Sequence, residues 1–150
     1  HDALPICFIS TRQWRIMIKI QKEDFNLENE INLIKSKYSN IGAVSTFIGY
    51  VRDTNENKKV QSIKLEVYES MANKSLSNIC EIAKKKWDIL DSLIIHRYGN
   101  LLVNEKIVLV ATFATHRKNS MESCTYIMDY LKKEAPFWKK EFYEKSFAWL

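Results

Sequence analysis

The run Ile107–Phe113 (IVLVATF) sets the strongest limit on what this chain folds into. It carries no charge, and it falls far short of the roughly 18 apolar residues that span a bilayer. Such a run reads as a buried strand. No other stretch is longer in apolar character, so no membrane segment is expected. A buried strand needs a core around it, and 150 residues supply one domain with one sizeable core. Three glycines and two prolines exclude collagen-like, linker-rich and low-complexity chains. An aromatic content of 12% argues against disorder.

Charge and cysteine content narrow the setting. The chain has 23 Lys plus Arg against 18 Asp plus Glu, a mild excess of +5. This suits an anionic partner, although many ordinary cytoplasmic proteins carry as much. Cys7, Cys80 and Cys124 are odd in number and lack CxxC spacing, which excludes a disulfide framework and a structural zinc site. A reducing, cytoplasmic setting follows. Cys80 and Cys124 lie on apolar helix faces and are expected to pack rather than react. Residues His1–Arg15 show neither helical nor strand periodicity and lack the pattern of a signal peptide. The domain is expected to begin near Met17, spanning 17–150, with residues 1–16 a disordered or foreign extension.

Strands and helices alternate along the remainder. Strands are predicted at Ile16–Ile20, Ala43–Arg52, Val60–Tyr68, Asp91–Tyr98 and Lys106–Thr115. In Val60–Tyr68 the alternation of Ile63, Leu65 and Val67 with Ser62, Lys64 and Glu66 marks a half-buried strand. Helices are predicted at Leu27–Tyr38, with Asn26 as N-cap, at Ser70–Trp87, and at Asn119–Lys133. In the last of these Cys124, Ile127, Met128 and Leu131 face inward, and Pro136 ends it. Asp53–Lys59 reads as a polar turn, Gly99 as another, and Phe137–Leu150 as strand or irregular. The pattern is an α+β domain with a mostly antiparallel sheet and two to three helices.

Four segments carry residues suited to chemistry. In Gly42–Asp53 (GAVSTFIGYVRD), Gly49 inside a strand marks a bulge or a close ligand approach. Arg52 ends that strand as either a ligand contact or a solvated charge. Thr115-His116-Arg117 closes an apolar strand before a helix, where free N–H groups attract anions. The plainer reading has Asn119 or Ser120 capping the helix. Lys132 and Lys133 complement a helix C-terminus. Pro136-Phe137-Trp138-Lys139-Lys140-Glu141 offers aromatic stacking beside ammonium groups, or simply a basic turn. His96-Arg97-Tyr98-Gly99 points to geometry more than chemistry. No nucleophile elbow, GxGxxG or GxxxxGK[ST] is present.

In this order, GAVSTFIGYVRD (42–53), LEVYESMA (65–72), IHRYGNL (95–101), THR (115–117) and MDYLKKEAPFWKKE (128–141) resemble the catalytic (large) subunit of molybdopterin synthase. The resemblance covers roughly Met17–Trp149. It implies an α/β-hammerhead type of α+β fold and a sulfurtransferase of molybdenum cofactor biosynthesis. The implied substrate is cyclic pyranopterin monophosphate. The implied sulfur donor is a small ubiquitin-like subunit with a thiocarboxylated Gly-Gly C-terminus, and a homodimer within a heterotetramer is implied, with no further cofactor and no metal. Carried over residue by residue, substrate binding falls to Tyr50, Val51, Arg52, His116, Arg117, Lys132, Lys139, Lys140 and Glu141. Phe47 and Met128 line the pocket, and Lys132 and Lys139 form the catalytic pair. Asn100, Val103-Asn104 and Ser120-Met121 depart from the family pattern, and the chain stops at Leu150, where family members often continue. Two other readings compete: a small basic module for single-stranded nucleic acid, built on the Phe137–Lys140 patch, and an inactive scaffold for the small subunit.

Overall fold

The apolar run lies in a strand, β7 (Lys106–Ala114), at the interior of a four-stranded sheet. The computed structural model describes residues 16–143 and 147–150. On one side β7 pairs antiparallel with β5 (Asp91–Arg97), every residue of which is buried. On the other it pairs antiparallel with β2 (Ala43–Tyr50), the open edge of the sheet. β1 (Ile16–Gln21) adds to β5 in parallel, giving the order β1-β5-β7-β2. Of the expected extension over residues 1–16, only Ile16 is among the described residues, and its backbone pairs with Ser92.

Both faces of this sheet are covered, which explains why β5 and β7 read as continuous apolar runs rather than alternating ones. Ile94, Val108 and Val110 pack on one face against α2 (Glu69–Trp87) and α3 (Arg117–Glu134) through Leu76, Ile79, Cys80, Ala83, Cys124 and Ile127. Leu93, Ile95, Leu109, Ala111 and Phe113 pack on the other against Phe25 and α1 (Leu27–Lys35). Burying a side chain of this size contributes roughly 1.5–3 kcal/mol. α1 begins as expected, with the Asn26 side chain accepting from the Asn29 N–H at 2.9 Å. It stops at Lys35 rather than Tyr38, because Tyr38 turns inward and donates to Asp91 Oδ2 at 2.9 Å.

The second sheet centres on β4 (Lys58–Val67), which pairs antiparallel with β6 (Gly99–Leu102) and with β8 (Phe137–Tyr143). β9 (Phe147–Trp149) adds to β8, and β3 (Thr54–Asn55) folds back on β4. The expected polar turn Asp53–Lys59 is therefore a hairpin. Glu56 and Asn57 occupy its tip with φ of 51° and 67°, the positive pair that a two-residue hairpin with right-handed strand twist requires. β6 was not expected: Gly99, read as a turn, starts a strand at φ +88°. The C-terminal tail, expected as strand or irregular, supplies two strands. The core of this sheet is Val51, Val60, Ile63, Leu65 and Leu101. The fold is α+β, with three helices among the described residues, none long and apolar enough to cross a membrane.

The two sheets are stitched where β8 begins. Phe137 stacks on the His96 ring with centroids 3.7 Å apart and planes 17° from parallel. Burial pushes the His96 imidazole down from its usual 6.5 to about 4. As pH falls through that interval the unfolded chain takes up a proton that the folded one refuses, so stability is lost on acidification. Asp91 works in the opposite sense, because burial raises its carboxyl to about 6. His96→Gln should therefore flatten the acid side of the stability curve between about pH 6.5 and 4, by about 3 kcal/mol relative to the parent chain. Urea unfolding of both proteins across that range reads the difference, in which the Asp91 contribution cancels. The strand β2 also starts under a tight restraint: a Cβ on Gly42 would lie 2.1 Å from the Thr115 carbonyl oxygen. Gly42→Ala should cost roughly 1–3 kcal/mol, read as a lower urea midpoint at unchanged slope.

Candidate active site

The site is built from two strand ends and one helix. β2 carries Phe47 and Tyr50 on its exposed edge, 43% and 52% accessible. The bulge expected at Gly49 is present, with the pairing to β7 shifting between Gly49 and Tyr50. Just beyond, Val51 donates its N–H to the Glu105 carbonyl at 2.9 Å and accepts from the Asn104 N–H at 2.8 Å. Its side chain is 3% exposed. Val51 thus has no free polar group and acts as a packed anchor that aims Arg52 into solvent. Asn104 holds the left-handed conformation at φ 73° in the turn that closes on Val51.

Tyr50, Val51, Arg52, Thr54, Lys139 and Glu141 surround one small cleft. Lys139 and Glu141 reach it because they alternate on β8 and pair with Leu65 and Ile63 of β4 on its core-facing side. Glu141 is buried; its Oε1 accepts from Asn55 Nδ2 at 2.9 Å and from the Tyr143 hydroxyl at 2.7 Å. Its Oε2 stands 3.9 Å from Lys139 Nζ. Lys140 projects from the opposite side of β8, its ammonium 4.9 Å from the Trp149 ring and 5.5 Å from the Phe142 ring. Trp138 shares that outer side, beside Glu66 and Tyr68. Phe137 is occupied by its stack on His96, which leaves Trp138 as the one aromatic of the pair with a free face.

A larger apolar groove of about 480 Å³ runs between α3 and β2. Ser45, Thr46 and Phe47 form one wall, and Met121, Cys124, Thr125 and Met128 the other. Positions 121, 125, 128 and 132 fall on one helix face, so Lys132 continues the α3 wall of the groove. α3 is tied to β2 by a hydrogen bond between the Ser45 and Ser120 hydroxyls. From that tie Lys132 is about 18 Å along the helix. The groove and the Arg52–Lys139 cleft both border β2, the groove at Ser45, Thr46 and Phe47 and the cleft at Tyr50 and the residues just beyond. Cys124 faces it only marginally; burial pushes its thiol up to about 11 and that of Cys80 to about 12, so both are packed, protonated thiols.

His116 and Arg117 lie elsewhere. α3 begins at Arg117, two residues earlier than expected, with His116 as N-cap and no side-chain cap hydrogen bond. Asn119 and Ser120 do not cap; Ser120 accepts the Thr112 hydroxyl at its carbonyl, 2.6 Å, and bonds Ser45 through its own hydroxyl. His116 and Arg117 are some 15 residues before Lys132, about 22 Å along the same helix. Within one chain the two groups cannot meet on one small ligand. Among the described residues the side chains of Arg52, His116, Arg117 and Lys132 are exposed and have no ion-pair or hydrogen-bond partner. Arg97 is the reverse: it is buried, donating to the carbonyls of Lys22 and Lys106 and to Glu105 Oε1. The geometric role expected of His96–Gly99 is what the structure shows. Asn55 and Tyr143 were missed from sequence. Tyr143 shares the i, i+2, i+4 alternation of Lys139 and Glu141, a signal that becomes readable only once the tail is known to be a strand.

Residues 20–134 match the family model described as MoaE protein. The molybdopterin synthase catalytic subunit of Ralstonia nicotianae is 45% identical over 133 residues, 89% of this chain and 76% of that protein. A solved molybdopterin biosynthesis MoaE protein from Burkholderia ambifaria is similar with a TM-score of 0.79 at 41% identity, over 90% of this chain and 88% of that one. A protein–protein complex of subunits 1 and 2 of molybdopterin-converting factor from Helicobacter pylori contains a chain with the same fold. Its TM-score is 0.74 at 21% identity, over 88% of both chains. A family match over most of the chain, close relatives of one kind and a shared fold converge: the chain belongs to the MoaE family of molybdopterin synthase catalytic subunits, enzymes of molybdenum cofactor biosynthesis.

Proposed function

We propose that this chain acts in the cytoplasm, transferring sulfur from the thiocarboxylated tail of a small ubiquitin-like subunit to cyclic pyranopterin monophosphate, which builds the dithiolene of molybdopterin. The observation that carries this reading is the apolar groove between β2 and α3, together with the cleft at the end of β2 that Arg52 and Lys139 line. An extended Gly-Gly tail suits such a groove, because glycine lets a backbone thread a narrow space. Phe47 and Met128 flank it. In the cleft Arg52 supplies charge-assisted hydrogen bonds for the substrate phosphate. The thiocarboxylate sulfur bonds to a substrate carbon, which loses an oxygen substituent. Water then attacks the acyl carbon, the ammonium groups of Lys132 and Lys139 stabilise the tetrahedral oxyanion, and its collapse breaks the acyl C–S bond, leaving the sulfur on the substrate and a carboxylate on the tail. Tyr50 and Glu141 complete the cleft. Val51 acts through packing, and Lys140, on the outer side of β8, stands outside this arrangement. A module for single-stranded nucleic acid loses its main support, since Phe137 is stacked inside on His96.

The length of α3 supports a site shared between two copies. His116 and Arg117 belong to the same substrate only if a second copy brings them there. Each active site then takes Arg52, Lys132 and Lys139 from one protomer and His116 and Arg117 from the other. A two-fold dimer with one small subunit at each site makes a heterotetramer; the Helicobacter pylori relative, solved as a complex of two subunits, supports the small partner.

Single turnover with thiocarboxylated small subunit and cyclic pyranopterin monophosphate tests the chemistry. Lys139→Ala and Lys132→Ala should each lower the rate on the order of a hundredfold or more. Normal rates in both would end the assignment, and no product from the parent chain with the small subunit still bound would mark a scaffold. Equal mixing of Arg117→Ala with Lys139→Ala, after subunit exchange, should restore about a quarter of the parent activity, since mixed two-fold dimers hold one intact site of two. No recovery would show that the two groups act within one chain.

A further inference from the structure

Glu141 is a buried carboxylate that holds its lysine loosely. The side chain of Glu141 is 5% exposed and that of Lys139 is 39% exposed, with 3.9 Å between Oε2 and Nζ. A carboxylate removed from water needs its acceptor positions filled, and a lone ammonium beside it would close to about 2.8 Å. Here the opposite oxygen is served by two neutral donors, Asn55 Nδ2 at 2.9 Å and the Tyr143 hydroxyl at 2.7 Å. Asn55 reaches it from the two-residue strand β3, whose hairpin tip is fixed by Glu56 and Asn57.

We propose that Asn55 is a positioning residue for the active site: by hydrogen bonding Glu141 it keeps the carboxylate from closing on Lys139, so the ammonium stays turned toward the cleft. This rests on the sulfur-transfer reading for the role of Lys139. Tyr143 shares the task from the same strand as Glu141. Its bond to the carboxylate raises the phenol above its usual range, which keeps the hydroxyl a donor. The other charged or titratable groups around the pair are Tyr50 and Arg52 at the end of β2, Glu56 at the hairpin tip, and Lys58, whose ammonium lies 5.4 Å from the Tyr143 ring. Lys64, Glu66 and Lys140 lie on the far side of the β4–β8 pair. None of these groups makes the direct bond to Glu141 that Asn55 makes.

The test measures Lys139 and turnover separately. In protein labelled with 13C-lysine, the Lys139 titration is followed by NMR and assigned with Lys139→Arg. Asn55→Ala strips a donor from Glu141 and should raise the Lys139 midpoint by about one unit, as a closer opposite charge does. Asn55→Leu keeps the size of the residue but can neither donate nor add a charge, so it should raise the midpoint as far and guards against a folding defect in the alanine variant. With the complete complex, the saturating single-turnover rate should fall on the order of tenfold to a hundredfold while half-saturation by substrate stays put. Both effects should vanish when the Asn55 variants are made together with Glu141→Gln. An unmoved Lys139 midpoint in both variants overturns the proposal, and so does a rate loss that is equally large with Glu141→Gln. If the parent chain transfers no sulfur but the midpoint moves as described, the positioning of Lys139 stands and the sulfur-transfer reading falls.

Discussion

The pairing of β5 with β7, buried on both faces, is the constraint on which the rest of the structure depends. Two uncharged faces call for helices on both sides, α2 and α3 on one and α1 on the other. With β1 closing the far edge, β2 is left as the open edge next to α3. That edge is what makes a groove possible. The corner where β2 leaves the sheet is held by a buried cation rather than by apolar packing alone. Arg97 bonds Glu105 and the Lys106 carbonyl, the Glu105 carbonyl accepts the Val51 N–H, and Arg52 follows directly.

The same chain treats its cations in two ways. Arg97 is enclosed, with hydrogen bonds at 2.9–3.2 Å to a carboxylate and to two carbonyls, because a buried guanidinium left unpaired is costly. Arg52, His116, Arg117 and Lys132 are left open to solvent, which keeps them available to an anion. Lys139 stands between these cases. It is partly exposed and faces a buried carboxylate, close enough to be oriented and far enough not to be neutralised.

Much of this was legible in the sequence where local rules decide the outcome. The interior strands followed from uncharged runs, α1 from Asn26 and its periodicity, and the bulge from Gly49. The clustering of Arg52 with Lys139 came through resemblance, not through spacing, since Lys139 is brought there only by the long-range pairing of β8 with β4, onto which β3 folds back just after Arg52. The hairpin at Glu56-Asn57 was hidden because its tip uses non-glycine residues at positive φ, where sequence rules look for glycine. β6 was hidden because four residues after a glycine look like the continuation of a turn. The role of Ser120 was hidden for a similar reason: a serine near a helix start suggests a cap, yet its hydroxyl is directed sideways to Ser45 and fastens the helix to β2. The separation of His116 and Arg117 from Lys132 follows from helix length alone, but only once the helix is known to be unbroken.

The first sheet also sets the order in which the chain can take shape. Ile16 pairs with Ser92 and Gln21 with Arg97, while Ala43 pairs with Ala114. Neither β1 nor β2 has a strand neighbour nearby in sequence within that sheet. β1 must wait for β5, and β2 for β7, before a ladder can form on either. Loop-closure entropy is therefore paid late and over long segments, which makes for slow folding of the kind set by non-local topology. During synthesis the edge strand β2 is made well before β7, its partner, so Phe47 and Ile48 stay unpaired until that later segment is available.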